Sequence, residues 1–333
     1  MHTTDWENKI FDVSFYNFDR TAIELFNFQY ENNPLYRSFT DSLHIHPDTV
    51  TTIDRIPFLP IQFFKTHAVK TTDFDEEIIF ESSGTTQSVT SKHFVKDVSI
   101  YKKSFCSTFE LFYGAPDEWC ILALLPSYVE RKNASLVMMA NELIKRSLNP
   151  LSGFYLHDHA KLHQLLLHNE IRKQPTLLIG VTFALLDFAE KYQMKLRYTI
   201  IMETGGMKGR RQEMVRKELY QQLQNRLGIS AVHSEYGMTE IMSQAYSRNE
   251  GLYKCAPWMK ILIREEDDPL QKQVLSVDKK PVTGLINIID LANIYSCAFI
   301  ATDDIGKLHH TGYFEVLGRR DYTDLRGCNL LVV

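Results

Sequence analysis

The chain has 333 residues, 44% of them hydrophobic, which is enough apolar material for a large buried core and for about two domains or one large one. A formal net charge of −4 and a sequence pI of 6.3 give no general attraction to nucleic acid or to an anionic bilayer. Five cysteines, Cys106, Cys120, Cys255, Cys297 and Cys328, are odd in number and lack CxxC spacing, which argues against a disulfide framework or a local zinc site.

The first residues, Met1-His2-Thr3-Thr4-Asp5-Trp6, lack the basic and apolar regions of a secretory signal. The longest strongly apolar run, 177–186, contains Gly180 and Thr182 and is far shorter than the roughly 20 residues that span a bilayer. A cytoplasmic protein without a membrane span is expected. Residues 1–55 carry closely spaced aromatics, Phe11, Phe15, Phe18, Phe26, Phe28 and Tyr30, and read as a helical cap without an independent core.

An apolar strand, Ile78-Ile79-Phe80, runs into a hydroxyl-rich turn, Ser82-Ser83-Gly84-Thr85-Thr86. Backbone N–H groups around a glycine converge on an anion, and the hydroxyls add donors that need no counter-charge. The same residues are ordinary turn formers, so a plain loop is the alternative for this stretch taken alone. No Gly-Lys-Ser/Thr follows at Walker A spacing.

From residue 97 helix and strand alternate: helix 97–112, strand 119–125, helix 131–146, helix 159–169, strand 176–179, helix 182–192, strand 198–202, helix 208–227 and strand 229–233. The 208–227 helix carries Val215, Leu219, Leu223 and Leu227 on one face, with Gly228 available as its stop. His157-Asp158-His159 and His163 read as a surface loop entering a helix rather than as a metal cluster. After Trp258 the pattern turns to strands at 273–277, 285–290 and 298–301 and a hairpin through 307–317. The expected organisation is a cap over 1–55, an α/β nucleotide-binding core over 56–250 and a β-rich subdomain over 251–333.

Directly after the 229–233 strand comes His233-Ser234-Glu235-Tyr236-Gly237-Met238-Thr239-Glu240. Sheets of this kind place ligands at the carboxyl ends of their strands, where an aromatic ring stacks on a base, a threonine donates to phosphate and a carboxylate holds Mg²⁺. Tyr-Gly-x-Thr-Glu alone is equally a loop with a capping threonine.

Four strings in order, Ser82-Ser83-Gly84-Thr85-Thr86, Tyr236-Gly237-Met238-Thr239-Glu240, Thr302-Asp303-Asp304-Ile305-Gly306 and Gly318-Arg319-Arg320-Asp321, resemble the adenylate-forming enzyme superfamily. The resemblance is strongest to the LuxE-type acyl-protein synthetases, the fatty-acid ligases of bacterial luminescence, and weaker to phenylacetate-CoA ligase. It draws support from 57–65 (Pro-Phe-Leu-Pro-Ile-Gln-Phe-Phe-Lys), 125–133, 204–211 and Arg326-Gly327-Cys328. The fold it implies is the large N-terminal domain of those enzymes, layered α/β sheets plus a β-rich subdomain, without the usual mobile C-terminal domain.

By this resemblance the substrates are ATP and a carboxylic acid, expected to be a fatty acid, and Mg²⁺ is the cofactor. Ser82, Ser83, Gly84, Thr85 and Thr86 would lie near the ATP phosphates, Gly205 and Gly206 near adenine, and Tyr236, followed by Gly237, against its ring. Thr239 would contact the α-phosphate, Glu240 would hold Mg²⁺, Asp304 would accept from the ribose hydroxyls, and Arg319 would approach ribose or phosphate. Gln87, Val89 and Thr90 stand where the common phosphate loop has Gly, Pro and Lys, with Lys92 two places later.

The activity implied is conversion of the acid to an acyl-adenylate, transfer to an enzyme cysteine, and delivery to an acyl-accepting protein such as a reductase or carrier protein. Cys328 is the cysteine the resemblance points to, with Arg326 favouring thiolate and Gly327 permitting close approach. Cys328 also opens an apolar run, Cys-Asn-Leu-Leu-Val-Val, so a packed thiol is its alternative. Two other readings of the whole chain stay open: an acyl-CoA ligase using coenzyme A directly, and a non-catalytic nucleotide- or acyl-binding module.

Overall fold

The structure, a computed structural model, describes residues 5–82, 89–125, 133–156, 158–205, 216–249, 251–265, 272–273 and 280–320. Ser83, Gly84, Thr85, Thr86, Gly206 and Cys328, all singled out from the sequence, lie outside the described residues.

Three helices open the chain, α1 (Trp6–Phe11), α2 (Phe18–Asn32) and α3 (Pro34–Ser42). Asn33 separates the last two because its side chain accepts from Tyr36 N–H at 3.0 Å, and Pro34 occupies the first turn, where no N–H is needed. The short strand β1 (Leu59–Pro60), the one-turn helix α4 (Phe63–Thr66) and the hairpin β2 (Ile78–Glu81) with β3 (Lys92–Val95) follow.

Next come α5 (Val98–Tyr113), β4 (Cys120–Leu124), α6 (Ser135–Arg146), β5 (Gly153–Phe154), α7 (His159–Arg172), β6 (Thr176–Val181), α8 (Thr182–Lys191), β7 (Thr199–Thr204), α9 (Arg216–Leu227) and β8 (Val232–Tyr236). Asp97 caps α5 through Ser99 N–H at 2.8 Å, and Asp158 caps α7 through Lys161 N–H at 3.0 Å. The five strands run parallel in the order β5-β4-β6-β7-β8. All of β4 and β6 is buried, as in parallel strands covered on both faces.

The remaining strands are β9 (Ala245–Ser247), β10 (Leu252–Cys255), β11 (Met259–Arg264), β12 (Lys272–Gln273), β13 (Val282–Asp290), β14 (Phe299–Leu308) and β15 (Phe314–Arg319). They continue the same sheet in the order β8-β9-β10-β15-β14-β13-β11-β12, every pair antiparallel, and β1 joins β14 in parallel. One sheet therefore changes character at β8. Among the described residues the alternation expected from residue 97 is present, as are the strands expected at 285–290 and 298–301 and the hairpin through 307–317; of the strand expected at 273–277 only residue 273 is described.

One difference positions the site. The strand expected at 229–233 lies at Val232–Tyr236, because Gly228 ends α9 in the left-handed region at φ 63° and the chain needs three further residues to turn. Pairing with β9, Tyr236 opposite Ala245, then keeps Tyr236 within the sheet rather than in a following loop.

The N-terminal helices are seated on the sheet by buried amides. Gln29 donates from Nε2 to the carbonyls of Asn293 (2.9 Å) and Ile294 (2.8 Å), and its Oε1 accepts from Ala298 N–H (2.9 Å). Asn33 donates to Ser296 O at 3.1 Å. No described helix is long and apolar enough to cross a membrane. Replacing Gln29 with Leu leaves two buried carbonyls and one N–H without partners, and urea unfolding of Gln29→Leu should show a loss of about 3 kcal/mol.

Candidate active site

The site forms where the parallel half of the sheet meets the antiparallel half, at the carboxyl end of β8. Tyr236 is the last residue of β8, and its ring crosses the neighbouring strands, 5.9 Å from the Tyr253 ring on β10 and 5.6 Å from Phe314 on β15. The right-handed twist of a sheet this wide curls β14 over the end of β8. Tyr236 O–H thereby donates to Asp304 Oδ2 at 2.8 Å, a residue four strands further along. Asp304 stands opposite Arg319 in the β14–β15 ladder, and Arg319 Nε lies 3.9 Å from its Oδ1.

Burial, reinforced by the Asp304 carboxylate, holds the Tyr236 phenol well above its ordinary value. Burial also raises Asp304, against the opposing pull of the Tyr236 hydrogen bond and of Arg319. Arg319 is 62% exposed, so its guanidinium extends past Asp304 into solvent.

The 57–65 string packs beside this cluster. Leu59 and Pro60 pair with Ile300 and Ala301 of β14, which delivers Gln62 to the Asp303 carboxylate, 2.7 Å from each oxygen. Lys65 lies close enough to Glu240 to lower its pKa.

Glu240 is 6% exposed. Burial raises its carboxyl, and a hydrogen bond from Ser91 together with the fields of Arg319 and Lys65 offsets that only in part. Its negative charge is under-compensated, and a hard divalent cation taking oxygen ligands fits such a carboxylate. Asp290, pushed up to about 6 by burial, fixes the segment just after Glu240 by accepting from Met242 N–H at 2.6 Å and Ser243 N–H at 3.1 Å.

The β2–β3 hairpin is tied to the same segment. Ser82 and Ser91 face each other across its mouth, with Ser82 N–H donating to Ser91 O at 3.1 Å and Ser91 N–H to Ser82 Oγ at 2.9 Å. His93, two residues on, places Nδ1 2.8 Å from Thr239 O and Nε2 3.0 Å from Asn293 Oδ1. Asn293 donates to the carbonyls of Glu240 (2.8 Å) and Cys297 (2.9 Å), which turns its oxygen toward the histidine. Burial lowers His93 to about 4, against the two acceptors, Thr239 O and Asn293 Oδ1, which favour the charged ring.

On the other side of β8, Glu235 accepts from the Thr204 hydroxyl and is pushed up to about 7, by burial first and by Glu203 in addition. Its Oε1 folds back under Gly237 so closely that a Cβ there would collide with it. A side chain at 237 would have to displace the end of the Glu235 carboxylate, while the φ of Gly237 is outside the left-handed region. Gly205, which follows β7, does adopt the left-handed region at φ 69°.

Of the residues expected to serve the site, the structure brings Tyr236, Asp304 and Arg319 into contact and sets Glu240 and Ser82 on either side of Ser91. Thr239 meets the hairpin through its carbonyl, and Gly205 lies at the end of β7. Gln62, Lys65, His93, Asn293 and Glu235 were not foreseen as site residues. Gln62 and Lys65 sit inside the 57–65 string, which was the one available signal for them.

Four free cysteines are described, Cys106, Cys120, Cys255 and Cys297. Burial raises all four thiols, Cys106 to about 11 and Cys297 to about 12, so none is a ready thiolate. The His159 ring packs on Phe188 at 5.8 Å and His163 stacks on Tyr192 at 4.5 Å.

The Glu235 shift sets a sign. A carboxyl raised from 4.5 to about 7 on folding contributes stability in full below 4.5 and loses it as pH rises through about 7. Two to three units correspond to about 3 kcal/mol. Thermal melts of Glu235→Gln between about pH 5 and about pH 8 should therefore fall less steeply than those of the parent chain.

No curated protein matches the chain in sequence. Among solved structures, 2-hydroxyisobutyryl-CoA ligase in its postadenylation state with 2-HIB-AMP is similar over 96% of this chain and 72% of its own, at a TM-score of 0.64 and 11% identity. ATP-bound MatB from Rhodopseudomonas palustris is similar over 74% of this chain, at a TM-score of 0.53 and 15% identity, and the chain spans only about half of MatB, 49%. At these identities the likeness establishes the fold alone, that of the large N-terminal domain of adenylate-forming enzymes. The family described as acyl-protein synthetase, LuxE, matches residues 14–333, and the chain belongs to that family.

Proposed function

We propose that the chain uses ATP to activate a fatty or related carboxylic acid as an acyl-adenylate, passes the acyl group to Cys328, and delivers it to an acyl-accepting protein such as a reductase or carrier protein. The observation that carries this reading is the Tyr236–Asp304–Arg319 cluster beside the buried Glu240, at the sheet's switch point in a LuxE-family chain.

The roles of the described groups draw on their surroundings, and those of Ser83, Gly84, Thr85, Thr86 and Gly206 on the family resemblance alone. The half-buried Tyr236 ring, fixed at its hydroxyl, offers a flat face to adenine, with Gly205 and Gly206 lining the base. Asp304 accepts from the ribose hydroxyls, and the exposed Arg319 reaches ribose or phosphate. Thr239 donates to the α-phosphate, and by the family resemblance Ser82, Ser83, Gly84, Thr85 and Thr86 would serve the phosphates. Glu240 would hold Mg²⁺, which when bound offsets charge on the phosphate oxygens.

A carboxylate is a poor acyl donor. Its oxygen attacks the α-phosphorus, the new O–P bond forms as the bond to pyrophosphate breaks, and AMP becomes the leaving group. The thiolate of Cys328 then attacks the acyl carbon, giving a thioester and AMP. The raised pKa values of the four described cysteines support Cys328 as the thiol, since a nucleophile needs the ionised form.

Intact-mass analysis after incubation with ATP, Mg²⁺ and mixed fatty acids tests the reading. A hydroxylamine-sensitive mass gain is expected, lost in Cys328→Ser while pyrophosphate release continues. Undiminished acylation of Cys328→Ser would remove that thiol's role, rapid acyl-CoA formation by the same variant would favour a coenzyme A ligase, and absence of pyrophosphate release across acids would leave a binding module.

A further inference from the structure

Glu203 is the penultimate residue of β7, 8% exposed, and has no part in the chemistry above. Its Oε2 lies 2.9 Å from the hydroxyl of Thr182, the first residue of α8, and the same hydroxyl lies 2.6 Å from the carbonyl of Gly205. A threonine hydroxyl has one proton. Gly205 O is an acceptor only, so the shorter contact takes that proton, and the contact to Glu203 closes only if the carboxyl supplies another.

We propose that Glu203 stands as a neutral carboxylic acid whose O–H donates to Thr182 Oγ1 while Thr182 donates to the Gly205 carbonyl, which makes Glu203 the positioning residue of the Thr204–Gly205 turn. With Glu203 ionised, the single hydroxyl proton must serve two acceptors, and the turn loses its anchor. The proposal rests on the reading of Gly205 as part of the adenine site, so nucleotide affinity is expected to fall as Glu203 ionises.

The groups facing Glu203 are Thr182 from α8, Arg216 and Tyr220 from α9, Ser234 and Glu235 from β8, and Tyr253 from β10. Tyr220 O–H approaches Oε1 at 3.4 Å and is shared with Ser234 Oγ. Thr182, Arg216, Ser234 and Tyr220 favour the carboxylate. Burial outweighs them and raises the Glu203 carboxyl above its ordinary range, which agrees with the proton count. Glu203, once ionised, raises Glu235 in turn.

Two measurements decide it. Infrared spectra of protein labelled at glutamate should show a protonated carboxyl band at about pH 7 that is missing from Glu203→Gln and retained in Glu235→Gln. AMP binding should weaken about tenfold in the parent over the pH range in which the Glu203 band disappears, stay level in Glu203→Gln, whose amide still donates to Thr182, and be weak at every pH in Thr182→Val. A Glu203→Gln protein that binds as poorly as Thr182→Val, or a spectrum at neutral pH unchanged by Glu203→Gln, would overturn the proposal. A parent chain that binds no AMP, yet shows the Glu203 band, would instead overturn the adenine-site reading and leave the protonated carboxyl standing.

Discussion

The hydrogen bond from Tyr236 to Asp304 joins β8, the last parallel strand, to β14, four places away in the antiparallel half of the sheet, and it requires the sheet to curl enough to bring their ends together. A flat sheet would hold these residues well apart, since neighbouring strands are separated by about 4.8 Å. The rest of the site is hung from the two strands so joined. Arg319 comes with Asp304 through the β14–β15 ladder, Gln62 comes with Asp303 through β1, and Glu240 follows Tyr236 by four residues.

Around this junction the protein keeps acids in places where ionisation is costly. Burial raises Glu203, Glu235, Glu240, Asp290 and Asp304, and the last four are answered by neutral donors: Thr204, Ser91, the Met242 and Ser243 amides, and Tyr236. Such carboxyls cost stability as pH rises, and they gain value where a ligand supplies what the protein withholds. Glu240 and Asp304 face the proposed nucleotide, and ribose hydroxyls or a divalent cation would compensate them. Glu203, Glu235 and Asp290 lie deeper, and Asp290 fixes the Met242–Ser243 segment that follows Glu240.

The sequence was informative where the pattern is local. The alternation after residue 97 follows from apolar periodicity and from caps such as Asp97, Asp158 and Gly228, all acting within a few residues. Tyr236, Asp304 and Arg319 could be singled out because each sits in a short string of characteristic spacing. The β8 boundary was displaced because the turn after Gly228 depends on packing against Lys195 and Met194, which no window around residue 229 contains. The contacts that organise the site span long stretches of chain: Gln62 to Asp303, His93 to Thr239, Gln29 to Ala298. An isolated Gln, His or Glu carries no spacing signal, so their roles became visible only once the sheet had placed them.

The most direct measurement is a crystal structure with ATP bound. The account predicts adenine against the Tyr236 ring, the ribose hydroxyls on Asp304 and the phosphates directed toward Thr239 and Glu240. A nucleotide found elsewhere on the molecule, with the Tyr236–Asp304 crevice still empty, would contradict it.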